Sequence, residues 1–194
     1  MMPPAPAAVA LFLAAAAGAG PTAPRLPGVV DLAGAAVEPL PAAGGPTTVF
    51  VFTRTDCPIS NRYAPELRRM HQRFRAAGMR FWLVYPEGAE PVEAIRRHVR
   101  QFGYGFGALR DPEHALVRLT KARVTPEAAV FVASANGPRM VYRGRIDDRY
   151  VDFGRARARP RARDLEAILA ALRAGKTVTP RTTTAVGCFI PPRE

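Results

Sequence analysis

The stretch TTVFVFTRTDCPIS, which runs from Thr47 to Ser60, decides how this sequence folds. Its first part, up to Arg54, is a continuous run of β-branched and aromatic residues, typical of a strand buried in a mostly parallel sheet. Cys57 follows shortly afterwards and is succeeded at once by Pro58. Proline is favoured in the first turn of a helix, where its missing N–H would have no partner anyway. The stretch therefore predicts a buried strand that passes into a helix, with Cys57 at the junction.

The rest of the chain alternates between amphipathic and continuously apolar segments. Apolar residues that recur every three or four positions predict helices, and these runs are followed by glycines that favour helix termination. The predicted helical faces are Tyr63/Leu67/Met70/Phe74, Val92/Ile95/Val99/Phe102 and Leu165/Ile168/Leu169/Leu172, and the predicted strands are 79–86, 127–134 and 138–145. Asp111 and Pro112 predict the start of a further helix. This order predicts an α/β fold, a mixed sheet with helices on both faces, whose last two strands form a hairpin.

The sequence is strongly basic, with 28 Lys and Arg against 16 Asp and Glu in 194 residues and a formal net charge of +12. Its length suits one domain with a full core, and its two cysteines exclude a small scaffold held together by many disulfides. The densest basic patch is GRARARPRARD, residues 154–164, which has no aromatic side chains to stack on bases. We interpret it as a solvated loop that makes only weak contact with anionic surfaces, and we predict no specific nucleic-acid partner.

The two ends of the chain differ in composition from its middle. The first 20 residues hold an apolar stretch with the length of a signal-peptide core, followed by small residues, although no Lys or Arg precedes it. We therefore predict an export signal over 1–20. The other predicted parts are a Pro-, Gly- and Ala-rich lead-in with a short hairpin over 21–46, a folded domain over 47–175 and a tail over 176–194 that contains Cys188. In an exported protein, two cysteines can form a stable disulfide.

Cys57 is the strongest candidate for chemistry, because its predicted position favours the thiolate, which is the nucleophilic form of cysteine. A helix N-terminus offers unpaired N–H groups and the positive end of the helix dipole, and both stabilise an anion. Ser60 is placed to donate a hydrogen bond to the sulfur. Arg54 and Arg62 add positive charge nearby, whereas Asp56 opposes them. The alternative is an inert buried cysteine with a packing role.

Four features together resemble the thioredoxin-like superfamily, and within it the redoxin group of alkyl hydroperoxide reductase and thiol-specific antioxidant proteins. VFVFTRTDCPIS resembles the strand that runs into the active cysteine, and Pro65 lies where the following helix carries a kinking proline. VTPEAAVFV resembles the segment with a cis-proline facing that cysteine, which implies a cis bond between Thr125 and Pro126. VYRGRIDD resembles the terminal hairpin. The resemblance covers roughly Val29 to Gly175.

The resemblance implies thiol–disulfide exchange or peroxide reduction, with Cys57 as the nucleophile and Ser60 stabilising its thiolate. Pro126 would shape the surface that meets the substrate. Cys188 would return from the tail as a resolving thiol; the alternatives are a permanent Cys57–Cys188 staple, or a Cys188 that never meets Cys57. The cysteines themselves hold the electrons, so no bound cofactor is expected, and the implied partners are a protein disulfide or peroxide substrate and a reductant protein.

The sequence departs from this group at two positions. Ser60 stands where a dithiol enzyme has its second cysteine, and Arg54 stands where a typical peroxiredoxin has threonine. Arg110 is a candidate for the arginine that peroxiredoxins place near the cysteine.

Two other functions stay open. One is a non-catalytic module that binds a partner beside Pro126, with Cys57 and Cys188 as structural residues. The other is a basic protein that holds anions with residues 154–164. Metal binding is not expected, because Asn61 stands where copper-delivery relatives have a second cysteine. The three histidines, His71, His98 and His114, are predicted to be exposed on helices.

Overall fold

The computed structural model describes Met1 and residues 26–193 of the chain. Its centre is a mixed sheet of seven strands, and two pairs of short strands lie outside that sheet. In chain order the strands are β1 (Val30–Asp31), β2 (Thr48–Phe52), β3 (Arg80–Tyr85), β4 (Gly107–Arg110), β5 (Val124–Thr125), β6 (Glu127–Val132), β7 (Arg139–Gly144), β8 (Tyr150–Asp152), β9 (Arg155–Ala156), β10 (Arg181–Thr182) and β11 (Cys188–Phe189). The predicted export signal, apart from Met1, lies outside the described residues.

The large sheet has the strand order β1-β4-β3-β2-β6-β7-β10. β2, β3 and β4 run parallel, and β6 and β7 pair antiparallel beside them as the predicted hairpin. The strand predicted from the opening stretch lies at the centre of the sheet as β2, and all five of its residues are buried. Within the predicted lead-in, β1 pairs with β4 and Val30 also bridges to Ala36.

Helices cover both faces of this sheet. They are α1 (Pro58–Arg62), α2 (Ala64–Phe74) with a 3-10 turn after it (Arg75–Ala77), α3 (Val92–Gln101), α4 (Ala115–Thr120) and α5 (Asp164–Arg173). Val49 and Val51 of β2 pack into the larger core with α2, α3 and α5, whereas Phe50 and Phe52 pack into the smaller core with α4. Successive side chains of a strand point to opposite faces, so β2 contributes to both cores. The predicted α/β fold is confirmed.

The helix that follows Cys57 is interrupted at Tyr63, between α1 and α2. Pro65 has no N–H with which to bond the Asn61 carbonyl, so the regular ladder cannot continue through this turn. Instead the Tyr63 N–H bonds the Ser60 carbonyl over 3.0 Å, and α2 then restarts with the Leu67 N–H on the Tyr63 carbonyl over 2.9 Å. Pro65 therefore breaks the helix where the resemblance implied a kink.

Several features differ from the prediction. β4 was not predicted, because a four-residue strand that begins with glycine carries no clear periodic pattern. The short strands β5, β8, β9, β10 and β11 were not predicted either. The helix predicted to start after Asp111 begins only at Ala115, since His114 adopts a left-handed backbone with φ 53°. The Asp111 carboxylate still caps this helix, because it accepts the Val117 N–H over 3.0 Å. Within the described residues, no helix has the length and apolarity needed to cross a bilayer.

Candidate active site

Cys57 lies where the central strand passes into the first helix. It occupies the cap position before Pro58, with extended backbone angles of φ −79° and ψ 108°. The Asn61 backbone N–H donates to the Cys57 carbonyl over 3.0 Å and so closes the first helical turn. The residue is almost completely covered, with 1% of its surface exposed. Any reaction of this sulfur with a substrate therefore requires the residues that cover it to move.

The turn between β5 and β6 faces Cys57. The Thr125–Pro126 peptide bond is cis, as predicted. The Cys57 thiol donates a hydrogen bond to the Thr125 carbonyl, with 3.0 Å between sulfur and oxygen. Thr125 and Pro126 are both buried. This turn thus forms one wall around the sulfur.

The C-terminal tail lies beside this turn and brings Cys188 to Cys57. β11 pairs antiparallel with β5, with Cys188 directly opposite Thr125. The two sulfur atoms lie 2.7 Å apart across 131 residues of sequence, and both cysteines are free. Beyond β11, the Ile190 N–H donates to the Arg123 carbonyl over 2.9 Å, and the Ile190 side chain is buried. The tail is therefore a packed part of the domain and covers Cys57.

The environment of Cys57 favours its thiolate. Burial by itself raises the pKa of the Cys57 thiol, but nearby hydrogen bonds outweigh burial and hold the pKa below its ordinary value. The largest of these contributions comes from the Cys188 thiol, followed by the Ser60 side chain, the Ser60 backbone and the Thr125 side chain. Ser60 Oγ is buried and makes no hydrogen bond of good geometry with any described residue. Its effect on the sulfur is therefore that of a nearby dipole rather than of a full hydrogen bond.

Cys188 has the opposite tendency. Burial, the hydrogen bond to Cys57 and the charge on the Cys57 sulfur together raise the pKa of the Cys188 thiol to about 12. Of the two thiols, Cys57 consequently ionises first, and Cys188 stays protonated and donates to it. Two of the four causes that raise the pKa of Cys188 come from Cys57 itself and disappear once the Cys57 sulfur is joined to another sulfur, whereas burial and the charge on Asp56 remain.

The arginines near the site have other partners. Arg54 pairs with Asp56 at 3.0 Å and with Glu87 at 3.5 Å. Arg110, the candidate peroxidatic arginine, donates to the Gly88 carbonyl over 3.3 Å. Neither guanidinium has a hydrogen bond to the Cys57 sulfur among the contacts of the described residues.

The three histidines are not the exposed helical residues that the sequence analysis predicted. His98 lies on α3 but is buried, with 3% of its surface exposed, and burial lowers its pKa to about 4. His114 is also buried, precedes α4, and contacts the Pro86 carbonyl through Nε2 at 3.0 Å. His71 is half-buried between the rings of Phe81 and Phe106. Among residues 26–193, no three His, Cys, Asp or Glu side chains converge to hold a metal ion.

Two side chains that hold the loop before the cysteine were not predicted from the sequence. The Thr55 N–H donates to Glu90 Oε1 over 2.8 Å, and the Thr55 carbonyl accepts from Asn61 Nδ2 over 3.0 Å. Asn61 lies one helical turn after Cys57, and its position could have been used to predict a contact between its side chain and the loop before the cysteine. Glu90 lies 35 residues from Thr55 in a loop, and no local pattern distinguishes it.

Comparison with solved structures supports a thioredoxin-like architecture. An uncharacterised conserved protein from Geobacillus kaustophilus matches with 22% identity, 91% of this chain and 94% of that chain covered, and a TM-score of 0.71. A hypothetical protein from Sinorhizobium meliloti 1021 matches with 25% identity, 78% and 88% coverage, and a TM-score of 0.59. A secreted Mycobacterium tuberculosis disulfide oxidoreductase, homologous to E. coli DsbE, matches with 20% identity, 78% and 97% coverage, and a TM-score of 0.50.

A central strand that leads through a short loop to a covered cysteine, a facing cis-proline turn and a flanking antiparallel hairpin together define a thioredoxin-like domain. The model of the AhpC/TSA family matches residues 25–138, and the chain belongs to that family. No curated protein matches the chain.

Proposed function

We propose that this protein is an exported thiol–disulfide oxidoreductase in which Cys57 is the nucleophile and Cys188 the resolving thiol. The single observation that carries the proposal is the contact of the two sulfurs, 2.7 Å apart, with opposite shifts of their pKa values. Membership of the AhpC/TSA family supports thiol chemistry. The match to a secreted disulfide oxidoreductase agrees with export, although that likeness concerns the fold.

The reaction needs no group beyond the two cysteines and a substrate disulfide. The Cys57 thiolate attacks one sulfur of the substrate, a mixed disulfide forms, and the other substrate sulfur leaves as a thiolate and takes up a proton. Cys188 then loses its proton and attacks the Cys57 sulfur, which releases the second substrate thiol. The substrate has gained two electrons, and the protein holds a Cys57–Cys188 disulfide until a reductant protein restores both thiols.

The order of the two attacks follows from the pKa values. In the reduced protein, Cys57 ionises first and Cys188 keeps its proton. In the mixed disulfide, Cys57 carries no charge and can no longer raise the pKa of Cys188. Cys188 is therefore a poor nucleophile before the first attack and a better one after it, because a thiol reacts as its thiolate.

Substrate access requires the tail to leave β5, because Cys57 is 1% exposed with the tail in place. The part of the tail that lies against β5 is short: β11 comprises two residues and pairs with β5, whereas β10, earlier in the tail, pairs with β7 in the large sheet. A short strand of this kind can separate without unfolding the seven-stranded sheet. We therefore expect the first attack to be limited by opening of the tail.

The proposal is tested by following electrons from the reduced protein to a disulfide. Reduced wild-type protein is mixed with oxidised glutathione or a protein disulfide, and Cys57 and Cys188 are located by mass mapping. We expect wild type to end with a Cys57–Cys188 bond and Cys57→Ser to transfer no electrons. Faster oxidation by hydrogen peroxide than by any disulfide would instead favour a peroxidase. Absence of transfer to either oxidant would favour a non-catalytic binding module.

A further inference from the structure

Three side chains connect the interior of the domain to the loop before Cys57. Tyr85 ends β3, His98 lies on α3, and Asn61 lies on α1. The Tyr85 hydroxyl is 2.8 Å from His98 Nδ1, and His98 Nε2 is 2.7 Å from Asn61 Oδ1. Asn61 Nδ2 then donates to the Thr55 carbonyl over 3.0 Å. The connection thus runs through three secondary-structure elements and ends two residues before Cys57.

The direction of each hydrogen bond in this connection is fixed. Asn61 uses its amide N–H on Thr55, so its Oδ1 can only accept. His98 must therefore donate from Nε2, and a neutral imidazole then accepts at Nδ1 from the Tyr85 hydroxyl. Burial lowers the pKa of His98 to about 4, so the ring is neutral near neutral pH. The hydroxyl of Tyr85 thereby selects the tautomer that holds Asn61.

Asn61 restrains both ends of the short segment from Thr55 to Cys57. Its side chain holds the Thr55 carbonyl, and its backbone N–H holds the Cys57 carbonyl over 3.0 Å. Glu90 fixes the Thr55 N–H from the other side over 2.8 Å. A displacement of this segment would move the Cys57 sulfur away from Cys188 and Ser60, which lower its pKa.

We propose that Tyr85, His98 and Asn61 are positioning residues that hold the Cys57 sulfur in contact with Cys188. This inference rests on the proposed function, since it concerns the reactivity of the same sulfur. None of the three side chains bonds to either cysteine, so they act only through the loop that Thr55 belongs to.

The test uses two matched tyrosines. The rings of Tyr85 and Tyr104 lie 5.8 Å and 5.9 Å from the His98 ring, and both are buried. The Tyr104 hydroxyl has no hydrogen-bond partner among the described residues, whereas the Tyr85 hydroxyl bonds His98. Tyr85→Phe should slow closure of the Cys57–Cys188 disulfide by about three- to tenfold, the range expected for one buried hydrogen bond. Tyr104→Phe should leave the rate unchanged.

A second pair of variants separates positioning from packing. His98→Gln keeps an N–H that can donate to Asn61, and His98→Leu removes it. We expect the pH midpoint of Cys57 ionisation, followed by thiolate absorbance, to rise in His98→Leu and to return toward wild type in His98→Gln. A purely structural role would lower the melting temperature of both variants without moving that midpoint.

The outcomes distinguish this inference from the proposed function. If wild-type Cys57 and Cys188 never form a disulfide, the proposed function fails, and the positioning role fails with it. If wild type forms the bond but Tyr85→Phe closes it as fast as Tyr104→Phe, only the positioning role is overturned. Equal ionisation midpoints in His98→Leu, His98→Gln and wild type would overturn it as well.

Discussion

Gly187 crosses the carbonyl of Thr125 so closely that a Cβ atom on residue 187 would lie 2.2 Å from the carbonyl oxygen. The same atom would also lie 3.1 Å from the Pro126 nitrogen. Only glycine fits here, and the reason is the close approach of two backbones. The neighbouring residue is Cys188, so this approach also sets the position of the second sulfur.

Gly187→Ala should therefore lift β11 from β5 and carry Cys188 away from Cys57. Overpacking of this kind costs about 1–3 kcal/mol, so we expect disulfide closure to slow by about tenfold or more. Stopped-flow oxidation with mass mapping of the product measures this rate. Gly105→Ala is the matched control, because a Cβ there would meet only His71 Nδ1 at 4.0 Å. Unchanged closure in Gly187→Ala would mean that the tail is not held by this contact.

Ser60→Ala should reduce the reactivity of Cys57 without destabilising the fold. The Ser60 side chain helps to lower the pKa of Cys57, so its removal should raise that pKa and slow alkylation at neutral pH by about threefold. Its hydroxyl is buried without a good hydrogen bond, so the melting temperature should not fall. Ser134→Ala, at the remote β6–β7 turn, serves as the control. A variant with unaltered alkylation would exclude Ser60 from thiolate stabilisation.

Cys188→Ala should trap the first intermediate. Without the resolving thiol, the Cys57–substrate disulfide has no internal nucleophile to release it. Intact-mass measurement after mixing with oxidised glutathione should show a stable adduct at Cys57, which wild type should lose by closing its own disulfide. The pKa of Cys57 should also rise, because the Cys188 thiol is the largest contributor that lowers it. A wild-type adduct as long-lived as that of the variant would contradict the resolving role.

His98 should make the stability of the domain dependent on pH. Its pKa falls from 6.5 to about 4 on folding because it is buried, so the unfolded chain binds the proton more tightly. The free energy of unfolding should therefore be fully retained above about pH 6.5 and should decrease as pH falls toward 4. We expect a loss on the order of 1–2 kcal/mol after allowing for solvent screening.

Urea unfolding of wild type and His98→Gln over this pH range measures the effect. The difference between the two proteins isolates His98 from other titrating groups, which include His71 and Asp111. Parallel stability profiles for the two proteins would show that His98 does not contribute.

The parts of the fold that the sequence predicts are those encoded locally. β2 was recognisable as a continuous run of β-branched and aromatic residues, and the helix face of Leu67, Met70 and Phe74 was recognisable because apolar residues recur with the helical period. The break at Pro65 and the cis bond at Pro126 were expected from the resemblance, and the proline ring explains how each can arise. For these features a few neighbouring residues carry the information.

The remaining features depend on contacts between distant segments. His98 has the polar neighbours of an exposed helical residue, and its burial follows from packing against Tyr85 and Phe102. Glu90 accepts the Thr55 N–H only because the loop that carries Glu90 folds back beside Thr55, 35 residues away in sequence. The sequence left open whether Cys188 meets Cys57, and the path by which it does so, as a strand added to β5, is visible only in three dimensions.

The position of Cys188 in the tail links the redox state of the two cysteines to the stability of the domain. A bond between sulfurs 131 residues apart would close most of the folded chain into a ring. Such a ring restricts the unfolded chain, and the resulting stabilisation is on the order of 4–5 kcal/mol. Because the two equilibria are linked, formation of the disulfide is more favourable in the folded domain than in the unfolded chain by the same free energy. The oxidised protein should melt at a higher temperature than the reduced one. The melting temperature therefore indicates whether Cys57 and Cys188 are present as a disulfide or as two thiols.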